Sequence, residues 1–326
     1  MNLINDPDTQ RAACTAFDSV LEILQDNIEP YLQLIMDRLS NLLENAPLTV
    51  KAVVTGAIGS AAHASKHGFL PYFLPTINRI APFLTLTGEG EESELRGVSM
   101  DAICTIAEAV GKDVFRPYFP EMMKHAFSGM ELGSARLREC SFLFFGGMAS
   151  VFGEEFAPYL TRVVPALLTS CSQPERGEDE YEGPFYFFFF RSMFLMNLCA
   201  VAIADATSPN GFVVGDVIDL DESVDEGMLD VNSGIAVEKE VAAGVMGDLF
   251  ASTQIHFLPF VEPCTLELIK LLPHYYEGIR KSAIESLLGI VRTFYDIGDH
   301  EAWVPGSNVV SKAGFGPYNG LLMVIW

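Results

Sequence analysis

Basic side chains are scarce in this sequence. Its 326 residues include 20 lysines and arginines against 43 aspartates and glutamates, which gives a formal net charge of −23. A chain this acidic repels nucleic acid and anionic membrane surfaces and attracts positively charged partners. We therefore expect a basic protein partner, with no nucleic acid and no membrane among the partners.

Motifs for metal binding, disulfide bonding and catalysis are also missing. The six cysteines include no Cys-x-x-Cys pair, and scattered single thiols are typical of a reducing compartment. No glutamate follows His63, so His63 and His67 do not form a zinc-protease motif. The glycines of GFGPYNG lack the Lys-Ser/Thr of a phosphate-binding loop. We predict no catalytic residue, no metal, no cofactor and no enzymatic activity.

What the sequence does contain is a repeated motif: an apolar residue, any residue, proline, an aromatic residue and another apolar residue. Its prolines are Pro30, Pro71, Pro117, Pro158 and Pro259, with steps of 41, 46, 41 and 101 residues. The last step equals one period plus an insertion of about 60 residues, on the period of about 40–47 residues that some helical repeats have.

Each period holds two predicted helices. Proline is tolerated in a first helical turn, so each motif opens one helix, called A. The second helix, called B, has apolar residues at helical spacing, and Gly111 and Gly153 occupy predicted C-cap positions. The predicted A helices are 29–44, 71–85, 114–130, 155–170 and 257–271, and the predicted B helices are 8–25, 48–65, 93–110, 134–151, 235–254 and 275–295.

Stacked antiparallel pairs of this kind bury their shared faces and form a curved solenoid. We predict an all-α fold, an α-solenoid or superhelix of HEAT repeats, with no strand. The repeats occupy 1–172 and 235–308, the segment 173–234 is an acidic and apolar insertion that is largely disordered or irregular, and 309–326 is a non-repeat tail.

Two side-chain types recur within the predicted repeats. Arginines near the starts of B helices are predicted to bind carbonyls or carboxylates of the neighbouring repeat; they are Arg96, Arg138 and Arg280. The motif tyrosines are predicted to pack between helices; they are Tyr31, Tyr72, Tyr118 and Tyr159.

Four long segments carry a family resemblance: FLPYFLPTINRIAPFL, DAICTIAEAVGKDVFRPYFPEMM, FAPYLTRVVPALLTSC and LLPHYYEGIRKSAIESLLGIVRTFYD. Through them the chain resembles importin-β (karyopherin-β) nuclear transport receptors of the importin-4 type, over 8–173 and 216–308. The resemblance implies a receptor of the cytoplasm, nucleus and nuclear pores that binds basic cargo, such as ribosomal proteins or histones, and phenylalanine-glycine nucleoporins. It also implies cargo release when the GTPase Ran binds. A HEAT scaffold unrelated to transport is the alternative.

Acidic residues on B helices are the candidate cargo ligands. If B helices line the concave face, Asp101, Glu108, Glu139 and Glu285 could bind lysines of a cargo through charge-assisted hydrogen bonds. Exposed helix positions without function are the alternative for each of them.

The predicted insertion is strongly acidic. Between residues 175 and 230, 13 acidic residues face two arginines, for a net charge of −11. A solvated loop is one interpretation, and an acidic loop that competes for basic surfaces is another. The acidic-loop candidates are Asp216, Asp219, Asp221, Glu222, Asp225 and Glu226.

The insertion also contains an apolar stretch, PFYFFFFRSMFLMNLCAVAIA, at 184–204. It is long enough to span a bilayer. Arg191 near its centre opposes that, since a central arginine costs about 2.5–3.5 kcal/mol on insertion scales. We hypothesise that 184–204 is a translated intron and that 310–326 is a second read-through. A membrane-tethered solenoid is the alternative.

Overall fold

The structure, a computed structural model, describes residues 7–174 and 226–298, and every regular element in these two ranges is helical. The all-α solenoid prediction is confirmed. The helices are α1 (Pro7–Leu24), α2 (Leu32–Asn45), α3 (Leu48–Ser65), α4 (Leu70–Ile80), α5 (Glu91–Val110), α6 (Lys112–Phe115), α7 (Phe119–Met130), α8 (Ala135–Phe152), α9 (Leu160–Cys171), α10 (Glu226–Thr253), α11 (Leu258–Leu271) and α12 (Glu277–Ile297).

These helices form two layers. The B layer contains α1, α3, α5, α8, α10 and α12, and each of these helices packs along the next. The A layer contains α2, α4, α6, α7, α9 and α11. Most helix bounds match the predicted ones closely. One clear difference is α10, which begins at Glu226 rather than at 235.

The A helices differ from the predictions at their ends, where 3₁₀ turns replace α-helix. The predicted helix 155–170 is a 3₁₀ turn over Gly153–Tyr159 followed by α9, and the predicted helix 29–44 likewise begins as the 3₁₀ turn Gln25–Tyr31. Pro30 and Pro158 lie in these turns. Since proline has no N–H to donate, it fits a turn that precedes the regular ladder. Pro71 and Pro259 lie in the first turns of α4 and α11, as predicted, so the motif marks either the first α-helical turn or the corner before it.

The chain turns sharply where each B helix ends. Gly111 and Gly153 are the C-caps of α5 and α8, as predicted, and both have positive φ. Gly153 has φ 58° and ψ −129°, and Lys66 takes nearly the same conformation after α3, with φ 48° and ψ −125°. Gln254, after α10, also has a positive φ of 47°. Non-glycine residues at these two corners are strained.

Small residues bring neighbouring B helices close together. A Cβ atom added to Gly97 of α5 would lie 2.9 Å from the Sγ atom of Cys140 on α8. One added to Gly247 of α10 would lie 2.9 Å from the Cα atom of Ser286 on α12. One added to Gly59 of α3 would lie 3.3 Å from the Cα atom of the next B helix's alanine, Ala102. Glycines of α3, α5 and α10 thus lie directly against the next B helix.

Aromatic rings separate neighbouring A helices. Tyr118 packs edge-on against Phe73 of the preceding pair, with ring centroids 5.3 Å apart, and Tyr159 packs on Phe119 at the same separation. Tyr72 packs against the core and donates a 2.9 Å hydrogen bond to Gln33 of α2, so three of the four motif tyrosines lie between repeats as predicted. Tyr31, in the first described A-layer segment, is 57% exposed, so the prediction is wrong there. No earlier A helix lies among the described residues to cover it.

Exposed ion pairs also link successive A-layer segments. Arg79 contacts Glu44 at 2.7 Å, Arg162 contacts Glu131 at 2.5 Å, and Arg116 contacts a glutamate of the next repeat, Glu155. More than a third of each side chain is exposed. Because glycines bring neighbouring B helices close together and aromatic rings lie between neighbouring A helices, we infer that the stack curves toward the B layer and that this layer forms the concave side.

The two described ranges join into one stack through α8, α9 and α10. Arg138 of α8 donates two hydrogen bonds, each 2.8 Å long, to the carboxylate of Glu238 on α10. Ser170 of α9 donates a third at 2.5 Å, and Glu238 is only 1% exposed. A buried carboxylate is tolerated because these partners bind it.

The other two predicted arginines bind backbone carbonyls. Arg96 donates to the carbonyl oxygens of Leu86 and His125, at 2.7 and 3.0 Å, and His125 belongs to the following A helix. With Arg138, it confirms the expected pairing across repeats. Arg280 instead donates to the carbonyls of His274 and Tyr275, in the loop that precedes its own helix. Whatever follows α12 lies outside the described residues, so a partner of Arg280 in a following repeat stays a prediction.

Several predictions concern residues that the structure does not describe. The apolar stretch 184–204 and the tail 309–326 lie outside the described ranges. Among the residues that are described, no helix is long and apolar enough to cross a membrane. The described cysteines are free thiols: Cys14, Cys104, Cys140, Cys171 and Cys264.

Candidate functional site

The exposed side of the B layer carries a groove over α1, α3 and α5. A cavity of about 700 Å³ opens there, and its lining mixes apolar and polar side chains. Leu21, Val98 and Ala102 supply carbon surface, whereas His63 and Asp101 supply polar atoms. The size and the mixed lining suit a side chain or a short peptide segment with both apolar and polar parts.

Three of the four candidate cargo ligands lie on α5 and α8, beside this cavity. Asp101 lines it, Glu108 is exposed two turns further along α5, and Glu139 is partly buried on α8. Glu285 is exposed on α12, at the far end of the B layer. The structure therefore places Asp101 and Glu139 near enough to interact, puts Glu108 two turns further along α5, and leaves Glu285 apart from them.

One further acidic residue, Glu94, belongs to this region. Glu94 begins the same face of α5, since Glu94, Asp101 and Glu108 follow one another at a spacing of seven residues. This seven-residue spacing is visible in the sequence, but the sequence prediction did not include Glu94. We call Glu94, Asp101, Glu108 and Glu139 the acidic groove.

The environment of Asp101 disfavours its charged form. Desolvation by the surrounding helices raises the pKa of Asp101 from 3.8 to about 6. The positive charge of Arg136 acts in the opposite direction, and the negative charges of Glu139 and Glu94 add to the increase. A cation that bound here would favour the ionised form of Asp101, because its positive charge would balance the negative charge of the carboxylate.

Glu108 lies in a second, milder environment of the same kind. Partial burial raises the pKa of Glu108, and positive charge on His63 opposes that shift. The carboxylate reaches toward α8, because a Cβ atom added to Gly147 would lie 3.6 Å from its Oε1 atom. Glu108 therefore lies where α3, α5 and α8 meet, at the edge of the groove.

Arg136 is the basic side chain among these carboxylates. Its Nη1 atom lies 2.7 Å from Oε1 of Glu139, and its Nε atom lies 3.7 Å from Oε2 of Glu94. Its side chain is 41% exposed. The sequence prediction did not include this arginine, because no motif distinguishes it from an ordinary surface arginine. The acidic groove therefore combines four carboxylates with Arg136, and Lys66 and His63 line the adjoining cavity.

The acidic-loop candidates cannot be placed relative to the groove. Asp216, Asp219, Asp221, Glu222 and Asp225 lie outside the described residues, and of Glu226 only its position as the first residue of α10 is described. Asp248, further along α10, was not predicted, and desolvation raises its pKa as well. Within the described ranges, no cluster of histidine, cysteine and acidic side chains could hold a metal ion.

A family comparison identifies the repeats. The model for importin subunit β-1-like repeats matches residues 2–196 of this chain. The chain belongs to the importin-β family. Among its relatives, the probable importin subunit β-4 of Schizosaccharomyces pombe is 36% identical over 302 residues, which are 91% of this chain and 26% of the relative. The predicted membership in the importin-4 type is confirmed.

More distant members agree with this assignment. Human importin-4 is 27% identical over 244 residues, which cover 73% of this chain and 21% of the human protein. This importin-β family chain thus spans about a quarter of the length of the curated relatives that it matches.

Solved structures of karyopherins share the fold. Kap121p bound to the extreme C-terminus of the phosphatase Cdc14p superposes with a TM-score of 0.64 at 20% identity, over 90% of this chain and 26% of that one. Kap121p bound to Nup53p gives a TM-score of 0.62 at 19% identity, over 89% and 25% of the two chains. At this level of identity the likeness establishes the superhelical fold of the importin-β family.

Proposed function

We propose that this chain is part of a nuclear import receptor that binds basic segments of cargo proteins in the acidic groove. The observation that carries the proposal is the set of carboxylates on the concave side of the stack, next to a cavity of about 700 Å³. Membership in the importin-β family makes a transport receptor, rather than an enzyme, the class of function that we propose.

The geometry suits a lysine or arginine side chain. Such side chains place an aliphatic stem on carbon surface and keep a charged head near polar groups. Val98 and Ala102 offer that carbon surface inside the cavity, and Asp101 lies beside them. Several carboxylates in a row would favour a segment with several basic residues, such as those of ribosomal proteins or histones.

The charge of the whole chain supports the same partner class. A net charge of −23 attracts a basic protein at long range and speeds its first encounter, an effect that salt weakens. The local groove then supplies the specific contacts, because buried or half-buried charges are screened less than exposed ones.

The proposal is tested by binding of a fluorescein-labelled lysine-rich peptide, with fluorescence anisotropy as the readout. We expect binding at about 50 mM salt that weakens at about 300 mM, and we expect D101N/E108Q to bind more weakly than the wild type. E44Q/E131Q is the matched control, because it removes two carboxylates from the A layer. Equal loss of affinity in the two double variants, or no binding by the wild type at low salt, would contradict the proposal.

A second surface supports nucleoporins as partners. Leu34 on α2 is 60% exposed, and Leu70 and Leu74 on α4 are 41% and 52% exposed. We propose that phenylalanine side chains of phenylalanine-glycine repeats bind between these two A helices. A phenylalanine-glycine peptide that bound the wild type and L74D equally would contradict this. If no such peptide binds and a stable partner subunit is recovered instead, that result would favour the alternative, a HEAT scaffold unrelated to transport.

Ran-dependent release and residence in cytoplasm, nucleus and nuclear pores are proposed for the whole receptor. They rest on membership in the family, and no described residue of this chain carries them. A shift of cargo affinity on addition of Ran bound to GTP is the measurement that addresses release.

A further inference from the structure

Arg136 and Arg138 lie two residues apart on α8 and have different surroundings. Arg138 binds the buried carboxylate of Glu238 and joins two B helices. Among the described residues, Arg136 forms ion pairs with Glu139 of its own helix and with Glu94 of α5, and 41% of its side chain is exposed. The stack therefore depends on Arg138, whereas Arg136 lies over the carboxylates that a basic ligand would use.

Glu139 is the carboxylate that Arg136 holds most closely. Nη1 of Arg136 lies 2.7 Å from Oε1 of Glu139, and the side chain of Glu139 is only 15% exposed. Across the groove, Glu94 lies 3.7 Å from the same guanidinium. A lysine from another protein that bound Oε1 of Glu139 would compete with the Nη1 atom of Arg136 for that oxygen.

We propose that Arg136 is a resident cation that occupies the acidic groove when no ligand is bound, and that a basic ligand must displace it. This inference rests on the proposed function. The consequence is selectivity. A single lysine that displaces Arg136 only replaces one cation by another, so little binding free energy is gained. A segment with several lysines can also bind Asp101 and Glu108, which adds binding free energy. The groove would then discriminate against isolated surface lysines.

The test compares R136Q with R79Q for binding of the lysine-rich peptide. R79Q also removes one positive charge, but from the A-layer pair with Glu44, so it controls for net charge. We expect R136Q to bind the peptide about two- to tenfold more tightly than the wild type, and R79Q to bind like the wild type. Thermal unfolding followed by circular dichroism verifies that both variants are folded.

A second pair of variants tests the exchange itself. In the wild-type background E139Q should change affinity little, because Arg136 already neutralises Glu139. In the R136Q background E139Q should weaken binding severalfold, because Glu139 is then free for the ligand. A purely structural role of Arg136 would not make the effect of E139Q depend on residue 136.

The outcomes separate this inference from the proposed function. If the wild type binds and R136Q binds equally or more weakly, the inference is wrong and the proposed function stands. If R136Q and R79Q tighten binding equally, net charge explains the effect and the inference is again wrong. If only R136Q binds, the wild type does not bind this peptide, so the proposed function fails and the inference that rests on it fails as well. If neither the wild type nor R136Q binds, both proposals fail.

Discussion

The B layer is held together by close glycine contacts and buried polar groups, whereas the A layer is held by aromatic rings and exposed ion pairs. Gly97 and Gly247 let α5, α8, α10 and α12 approach closely. In the A layer, the rings of Phe73 and Tyr118 lie between neighbouring A helices, with their centroids 5.3 Å apart, and keep those helices further apart. The closer layer forms the concave side and carries the acidic groove, so the packing of the repeats determines where a ligand can bind.

The largest expected effect concerns the ion pairs of the two layers. E238A should leave Arg138 without its partner at a buried site and lower the free energy of unfolding by about 3–5 kcal/mol. The exposed pair of the A layer should matter far less, so E44A should change stability by less than about 1 kcal/mol. Urea unfolding of both variants measures the difference. Similar losses in the two variants would remove the energetic distinction between the layers.

The next effect concerns close packing within the B layer. In G247A the new methyl group would meet the backbone of Ser286, so we expect a loss of about 1–3 kcal/mol. G244A is the matched control on the same helix, because a Cβ atom there meets nothing within 4 Å. Alanine is the better helix former, so G244A should gain up to about 1 kcal/mol. If the G247A variant had the same free energy of unfolding as the wild type, α10 and α12 would be less tightly packed than the contact of Gly247 with Ser286 indicates.

A third prediction uses the ionisation of Asp101. Desolvation raises its pKa to about 6, so the peptide should bind more weakly at pH 5, where Asp101 is largely protonated, than at pH 7.5. D101N should lose most of this pH dependence, with an affinity at pH 7.5 about two- to tenfold below that of the wild type. Anisotropy titrations at both pH values measure it.

The same shift has a consequence for stability. Because the folded pKa is raised above 3.8, ionisation of Asp101 lowers stability as pH rises from 3.8 to about 6. D101N should therefore be stabilised relative to the wild type at pH 7 more than at pH 4. A wild-type pH profile that D101N reproduced in both binding and stability would show that Asp101 is not the titrating group.

The smallest expected effect concerns the corners that connect the layers. Gln254 has a φ of 47°, which glycine adopts without strain, so Q254G should raise the free energy of unfolding by about 0.5–1 kcal/mol. Q254A keeps the strain and serves as the control. If Q254G proved no more stable than Q254A, the corner after α10 would not be strained.

The repeat architecture could be predicted from the sequence because three independent features agreed: the proline motif, the spacing of apolar residues and the C-cap glycines. The proline motif marked the corners, helical spacing of apolar residues marked the B helices, and Gly111 and Gly153 marked their ends. The strained corner at Lys66 could not be predicted, since only the surrounding packing imposes a positive φ on a lysine. The early start of α10 was missed because the segment before residue 235 is acidic and lacks a clear apolar period.

The candidate site was predicted only in part. The positions of Asp101, Glu108 and Glu139 on B helices were predicted from the sequence, and the structure places them on α5 and α8. Their role as cargo ligands stays a prediction. Arg136 and the cavity were not found, because both depend on how α3, α5 and α8 meet in space. Glu285 is also an acidic residue on a B helix, but two other B helices, α8 and α10, lie between α12 and α5.

The central claim is that basic ligands bind the concave B layer, and photo-crosslinking tests it most directly. A lysine-rich peptide with a photoreactive group beside its central lysine would be bound to the chain, irradiated and mapped by mass spectrometry. We predict crosslinks to α5 and α8 around Asp101 and Glu139, reduced by excess unlabelled peptide. Crosslinks confined to the A helices, such as α4 and α7, would contradict the account.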